Sequence, residues 1–285
     1  MQQSTLLTVI DPTTDDQAAL KRAEQLAVDT GAQIHAFCCT YVEDMAHFSS
    51  RKDAKHQTLI ETKERLYKLT APLKAEKINV SIEAYWNEDW QESVIHACGR
   101  SGANMVIKTA SPHSNIARQL TKTSDFSLLR NASCPVLLTR SGSPWQNRRI
   151  LAAVDIDSND AEHDLLNNVV VTEAQKLAKA TGFDLFLVAA MEGNADFSAI
   201  FNLLEEEKDD ETEAELVAQR FGVNPDRVII ENGSARKVIA DTAADINADV
   251  LVIGTVARKG LSAAIVGNTA EKLLDELAID ILAVS

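Results

Sequence analysis

The stretch ADVLVIGTVARKGLSAAIVGNTAEKLL, residues 248–274, decides the fold. Its apolar run at 250–253 lies between Asp249 and Gly254 and has the branched, continuous character of a strand buried on both faces. A loop punctuated by glycine follows, and a helix is predicted just after Gly267. A strand that is apolar on both sides needs helices on both sides, which is the condition met by a parallel α/β sheet.

Outward from this stretch, the chain repeats itself. GANMVI at 102–107 parallels NADVLV at 247–252, and an ungapped shift also sets SCPVL at 133–137 against AIDIL at 278–282. The pattern A-x-x-L-A-x-x-T-G occurs as Ala23, Leu26, Ala27, Thr30, Gly31 and again as Ala174, Leu177, Ala178, Thr181, Gly182. So long a period marks a duplicated domain, since solenoid repeats recur every ~20–50 residues. A chain of 285 residues also suits two cores of ~140 residues.

Each half reads as strands alternating with helices. In the first, strands are predicted at 5–10, 32–41, 79–85, 104–108 and 135–139. Helices are predicted up to the cap at Gly31 and at 52–76, 89–100 and 125–131. SGSPWQN at 141–147 has the turn residues and lack of periodicity of a linker. In the second half the strands are 150–155, 184–190, 227–230, 250–253 and 279–284. Its helices are 162–180, a long acidic one within 198–220, 235–246 and the one after Gly267. The expected class is α/β, with two tandem doubly wound domains, each a five-stranded parallel sheet flanked by helices. Domain boundaries are placed at 1–142 and 143–285.

Composition excludes several functions. No uncharged apolar run approaches the ~18–20 residues of a membrane helix, and residues 1–16 lack a signal-peptide core, so a cytoplasmic protein without membrane insertion is expected. Cys38, Cys39, Cys98 and Cys134 all fall in the first half without a C-x-x-C pair, which favours reduced structural thiols over a disulfide frame or zinc site. The net charge is −14. Up to Trp145 the acidic and basic residues balance at 16 each, leaving 12 basic against 26 acidic beyond it. This excess, with its cluster at 205–215, reads as a solvated helix face, and it disfavours nucleic acid, which calls for a basic stripe.

The two halves differ where a ligand should sit. Position 254 is glycine where its counterpart is Thr109, and Gly267 corresponds to Lys122. Gly254 at a strand tip permits close backbone approach or positive φ. At Gly267, free N–H groups and the positive end of a helix dipole favour phosphate oxygens. Asn268 and Thr269 add side-chain donors, Thr255 stands beside Gly254, and Arg258 or Lys259 can neutralise charge. Asp155, ending the first strand of this half, is expected on the same rim, accepting bonds from an adenine or ribose group. The plainer reading is that a glycine pair flanking strand and helix only shapes a turn. In either case the crevice belongs at the carboxyl ends of the strands, near the topological switch point.

The stretch 248–274 resembles the signature of the universal stress protein (UspA) superfamily, whose nucleotide-binding members carry G-x2-G-x9-G-(S/T) after a strand of the form A-D-(L/V)-(I/V)-V-(M/I)-G. LAAVD at 151–155 is similar to that family's first strand, and KTSDFSLLR at 122–130 looks like the degenerate segment of its tandem-domain members. The resemblance covers both halves. It implies the stress-response family's fold and ATP, with Mg2+, as a ligand of the second half, held by Asp155, Gly254, Thr255, Ala257, Arg258, Gly267, Asn268 and Thr269. Two positions depart from the signature: Ala257 replaces the middle glycine, and Asn268 stands where Ser or Thr follows the third. The first half has Thr109, Pro112 and Lys122 at the three glycine positions and is expected to bind no nucleotide.

Catalytic motifs are missing. There is no G-x-x-x-x-G-K-[ST], no G-x-S-x-G and no H-E-x-x-H, and His35, His47, His56, His96, His113 and His163 are scattered. Trp86 and Trp90 bracket a strand-to-helix turn and read as packing at a domain contact, or else as the lining of a pocket. The expected function is therefore a stress-response binding module that holds ATP without efficient turnover. The alternatives are a nucleotide-free interaction scaffold and a module for another ligand, such as a nucleotide-sugar or an amphiphile. The two halves are expected to pair as an intramolecular pseudo-dimer through their final strands, and a homodimer of whole chains is also compatible with the sequence.

Overall fold

The computed structural model describes residues 3–110, 118–156, 161–191, 212–255 and 268–285. The chain separates into two compact units, Met1–Pro144 and Trp145–Ser285. The first runs β1 (Thr5–Val9), α1 (Ala18–Thr30), β2 (Gln33–Thr40), α2 (Arg51–Ala75), β3 (Val80–Trp86), α3 (Trp90–Ser101), β4 (Met105–Thr109), α4 (Arg118–Asn131) and β5 (Val136–Thr139). The second runs β6 (Arg149–Val154), α5 (Ala161–Thr181), β7 (Asp184–Met191), α6 (Glu213–Phe221), a single 3-10 turn (Pro225–Arg227), β8 (Val228–Asn232), α7 (Ala235–Asp245), β9 (Val250–Gly254), α8 (Asn268–Glu276) and β10 (Asp280–Val284).

Both units have the same topology. Strands lie in the order β3-β2-β1-β4-β5 in the first and β10-β9-β6-β7-β8 in the second. Their registers within each unit are parallel, for example Leu7↔His35, Leu7↔Val106 and Leu151↔Leu251. The first strand of each unit is thus central, with neighbours on both sides and helices on both faces. Burial follows: Leu7, Ile34, Val106, Leu137, Ile150, Leu151, Leu187, Val250 and Leu251 have no exposed surface. The expected pair of doubly wound five-stranded α/β sheets is what the chain forms.

The sequence repeats have physical causes. In A-x-x-L-A-x-x-T-G, the first alanine and the leucine are buried toward the sheet in both copies. The threonine hydroxyl donates one turn back, Thr30 to Leu26 O and Thr181 to Leu177 O. Gly31 and Gly182 then take φ +70° to close the helix, their N–H groups reaching Ala27 O and Ala178 O. Gly102 and Asn247, matched in the second repeat, likewise both adopt left-handed backbone before β4 and β9.

Some boundaries differ from expectation. α4 begins at Arg118 instead of 125, because the apolar signal starts only with the buried Phe126 and Leu128. Of the acidic helix expected within 198–220, residues 192–211 lie outside the described ones. The described helix is α6, started by a capping box between Thr212 and Glu215. Cys38 and Cys39 are both buried, as are most residues of β2. Trp86 packs 5.3 Å from Tyr41, and Trp90 lies under the Lys108 ammonium at 5.4 Å, so both find partners inside their own unit. Among the described residues, no helix is long and apolar enough to cross a membrane.

Leu151 sits fully buried in the central strand of its unit. Leu151→Ala is expected to lower unfolding free energy by about 2–5 kcal/mol, read from urea denaturation curves, because close-packed neighbours cannot collapse into the void.

Candidate functional site

In the second unit, β7 and β8 extend the sheet on one side of β6, and β9 then returns on the other side. The switch point therefore lies between β6 and β9, whose register includes Ala152↔Val252. The crevice of a doubly wound sheet opens there, outside the carboxyl ends of the strands. Asp155 follows the end of β6 and Thr255 follows the end of β9, so the two stand on the same rim.

Asp155 is fixed through its backbone. The Asn167 side chain accepts from Asp155 N–H at 2.9 Å and donates to Asp155 O at 2.6 Å. Asn167 is itself buried in α5, so the amide replaces the ladder bonds that β6 loses where it ends. The carboxylate is left exposed at the rim, with His163 Nε2 at 3.8 Å. The first unit repeats the device with a longer side chain: Asp11 N–H donates to Gln17 Oε1 at 3.1 Å, and Gln17 Nε2 donates to Asp11 O at 2.8 Å. Sequence reasoning missed Asn167, Gln17 and His163. Asn167 did leave a signal, as a polar residue on the buried helix face one turn before Val170 and Val171.

Of the two properties expected at Gly254, the structure lacks the left-handed backbone and has a close approach made by a side chain of the same domain. Gly254 is the last residue of β9 and does not take positive φ. A Cβ built on it would meet Leu166 Cδ2 at 2.5 Å and Cγ at 2.6 Å. The close approach is made by the α5 side chain, so this glycine is explained by packing. Thr255 is buried, and both its N–H and its hydroxyl donate to Val284 O, at 2.7 and 3.0 Å. Its hydroxyl proton thus ties β9 to β10.

Of the other expected contacts, Asn268 and Thr269 open α8. That helix begins at Asn268, with Thr269 half-buried in its first turn and Ala270, Leu273 and Leu274 buried beneath. Its first-turn N–H groups have no intrahelical acceptors, as at any helix start. Ala257, Arg258 and Gly267 lie outside the described residues. Where the first unit would present the same crevice, Thr109 Oγ1 accepts from Ala19 N–H at 3.2 Å, covering the start of α1. Lys108 Nζ reaches Asp125 Oδ1 at 2.8 Å, with both side chains largely buried. The second unit has buried Ile253 and Ala270 at the corresponding places.

Two outcomes follow. Asn167→Leu removes both part-buried bonds to the Asp155 backbone and is expected to cost about 1–3 kcal/mol of stability in urea titration, with Asn167→Gln costing less. Gly254→Ala is expected to lose about 1–3 kcal/mol through overpacking, and Leu166→Ala added to it is expected to restore part of that loss. A double-mutant cycle with no coupling would remove the packing account.

The model of the universal stress protein family matches residues 4–140 and again 146–285. The chain is 31% identical to universal stress protein E of Escherichia coli strain K12 over 300 residues, covering 98% of this chain and 93% of that one. It is 28% identical to the universal stress protein E homolog of Haemophilus influenzae, covering 100% and 98%. The crystal structure of a putative universal stress protein from Pseudomonas aeruginosa UCBPP-PA14 superposes with TM-score 0.78 at 30% identity, covering 99% and 93%. A universal stress protein of Archaeoglobus fulgidus shares the fold at TM-score 0.68 and 15% identity. With two matches that together span nearly its whole length, the chain belongs to the universal stress protein family as a tandem-domain member.

Proposed function

We propose that the second domain is a binding module for ATP, with Mg2+ carried on the phosphates, and that it acts by occupancy rather than turnover. The supporting observation is the placement of Asp155, the end of β9 and the start of α8 around one switch-point crevice. The residues suit such a ligand: an exposed carboxylate on the rim for adenine or ribose donors, and helix-opening N–H groups for phosphate oxygens. Asn268, Thr269 and Arg258 would add donors and positive charge, with Gly267 leaving room at the helix start. The first domain, its corresponding corner taken up by Thr109 and the Lys108–Asp125 pair, is proposed to bind none. A nucleotide-free scaffold is the competing reading.

Denaturing the purified protein and analysing the released small molecules by mass spectrometry tests this directly, with one adenine nucleotide per chain expected. Added Mg-ATP at a hundred times Kd should stabilise the fold by about 2.7 kcal/mol, a rise in Tm on the order of 5–10 °C. Gly267→Trp should abolish that rise. Asp155→Ala should weaken binding about tenfold or more while leaving the ligand-free Tm nearly unchanged, since its carboxylate is exposed. Two tight sites per chain, or stabilisation unaffected by Gly267→Trp, would place the ligand elsewhere.

A further inference from the structure

Two of the four thiols stand together. Cys98, in the last turns of α3, has its Sγ 2.9 Å from Cys134 Sγ, just ahead of β5, and 3.6 Å from Ser133 Oγ. α3 runs back against the parallel sheet and Cys134 precedes a strand, so the pair lies at the amino edge, opposite the crevice edge. The remaining cysteines differ. Cys38 and Cys39 are adjacent on β2, whose alternation sends their side chains to opposite faces, and both are buried.

We infer that Cys98 and Cys134 form a redox-sensitive dithiol, closed to a disulfide by hydroperoxides and reopened by thiol reductants. The juxtaposition of the two sulfurs carries the inference, independently of any nucleotide in the second domain. A disulfide requires about 2.05 Å between sulfurs, so closure calls for a further approach of about 0.9 Å. Cys134 is partly exposed and gives the oxidant access, whereas Cys98 is buried.

The chemistry balances. The Cys98 thiolate takes the proton of the adjoining Cys134 thiol, and the Cys134 Sγ freed in this way attacks a peroxide oxygen. The O–O bond breaks, and with one proton taken up the products are a sulfenic acid and water. The Cys98 sulfur then attacks the sulfenic sulfur, the S–S bond forms, the S–O bond breaks and a second water leaves with the Cys98 proton. Two thiols and one hydrogen peroxide give one disulfide and two waters. The contact with Cys134 brings the Cys98 thiol down to about 6, with Ser133 assisting against the opposing effect of burial, so the pair supplies a thiolate near neutral pH. Burial instead pushes Cys38 up to about 12 and raises Cys39, which makes them internal controls.

The test uses the full-length protein treated with stoichiometric hydrogen peroxide, unfolded in an alkylating agent, digested with trypsin and mapped by mass spectrometry. The expected product links peptides 78–100 and 131–140, is lighter by two hydrogens, and separates with dithiothreitol, while Cys38 and Cys39 stay alkylated. Four alkylated cysteines after treatment, unlinked sulfinic acids at Cys98 and Cys134, or linkage through Cys38 or Cys39 would each overturn the inference. In Cys98→Ser, checked for native circular dichroism, Cys134 should be trapped as a sulfenic acid by dimedone. In Cys134→Ser, peroxide consumption at Cys98 should slow at least tenfold. An unchanged rate there would overturn the assignment of Cys134 as the attacking sulfur.

Discussion

A central parallel strand must stop somewhere, and where it stops its backbone groups lose the ladder and need other partners. In both domains one buried amide side chain resolves this, Gln17 for Asp11 and Asn167 for Asp155. A primary amide is suited to the task because it presents one donor and one acceptor side by side, matching a backbone N–H and C=O. The crevice edge is organised around this clamp. It sets the height at which the first strand ends, and with it the position of Asp11 and Asp155 on the rim of each domain.

The two domains build the clamp differently, and this separates their crevices. Gln17 is the residue before α1, and the chain ahead of it is a turn in which Thr13 N–H donates to Asp11. Asn167 lies inside α5, whose earlier residues carry His163 and Leu166 toward the rim. Leu166 then needs the space that only a glycine at 254 leaves open. The first domain, with no such leucine, has Thr109 at that position and uses its hydroxyl to cover the start of α1.

Charge divides the domains in the same way. The Lys108–Asp125 pair is shielded from water, a setting in which losing one partner leaves a costly uncompensated charge. The second domain fills the matching positions with Ile253 and Ala270 and keeps its ionisable Asp155 at the solvent rim. Asp11 and Asp155 both stand exposed at the ends of their first strands, so the difference between the copies lies in the buried positions beneath. The thiol pair belongs to the first domain, at the sheet edge opposite that domain's own crevice edge.

Much of the fold was readable from the chain. Strand alternation, the Ala-Leu-Ala helix face and the caps at Gly31 and Gly182 are consequences of local periodicity and backbone sterics, which sequence records directly. Asp155 and the start of α8 were legible for the same reason, since strand ends and helix starts are local events. Gly254, Thr255 and Asn167 were not. Their roles depend on which side chain arrives from a distant element: Leu166 at Gly254, Val284 O at the Thr255 hydroxyl, Asp155 at the Asn167 amide. The Cys98–Cys134 contact is of this kind as well, 36 positions apart in the chain and brought within 2.9 Å only once α3 and β5 take their places in the layer. Periodicity determined the duplicated α/β architecture, whereas packing between elements decided what each residue at the crevice and at the thiol pair touches.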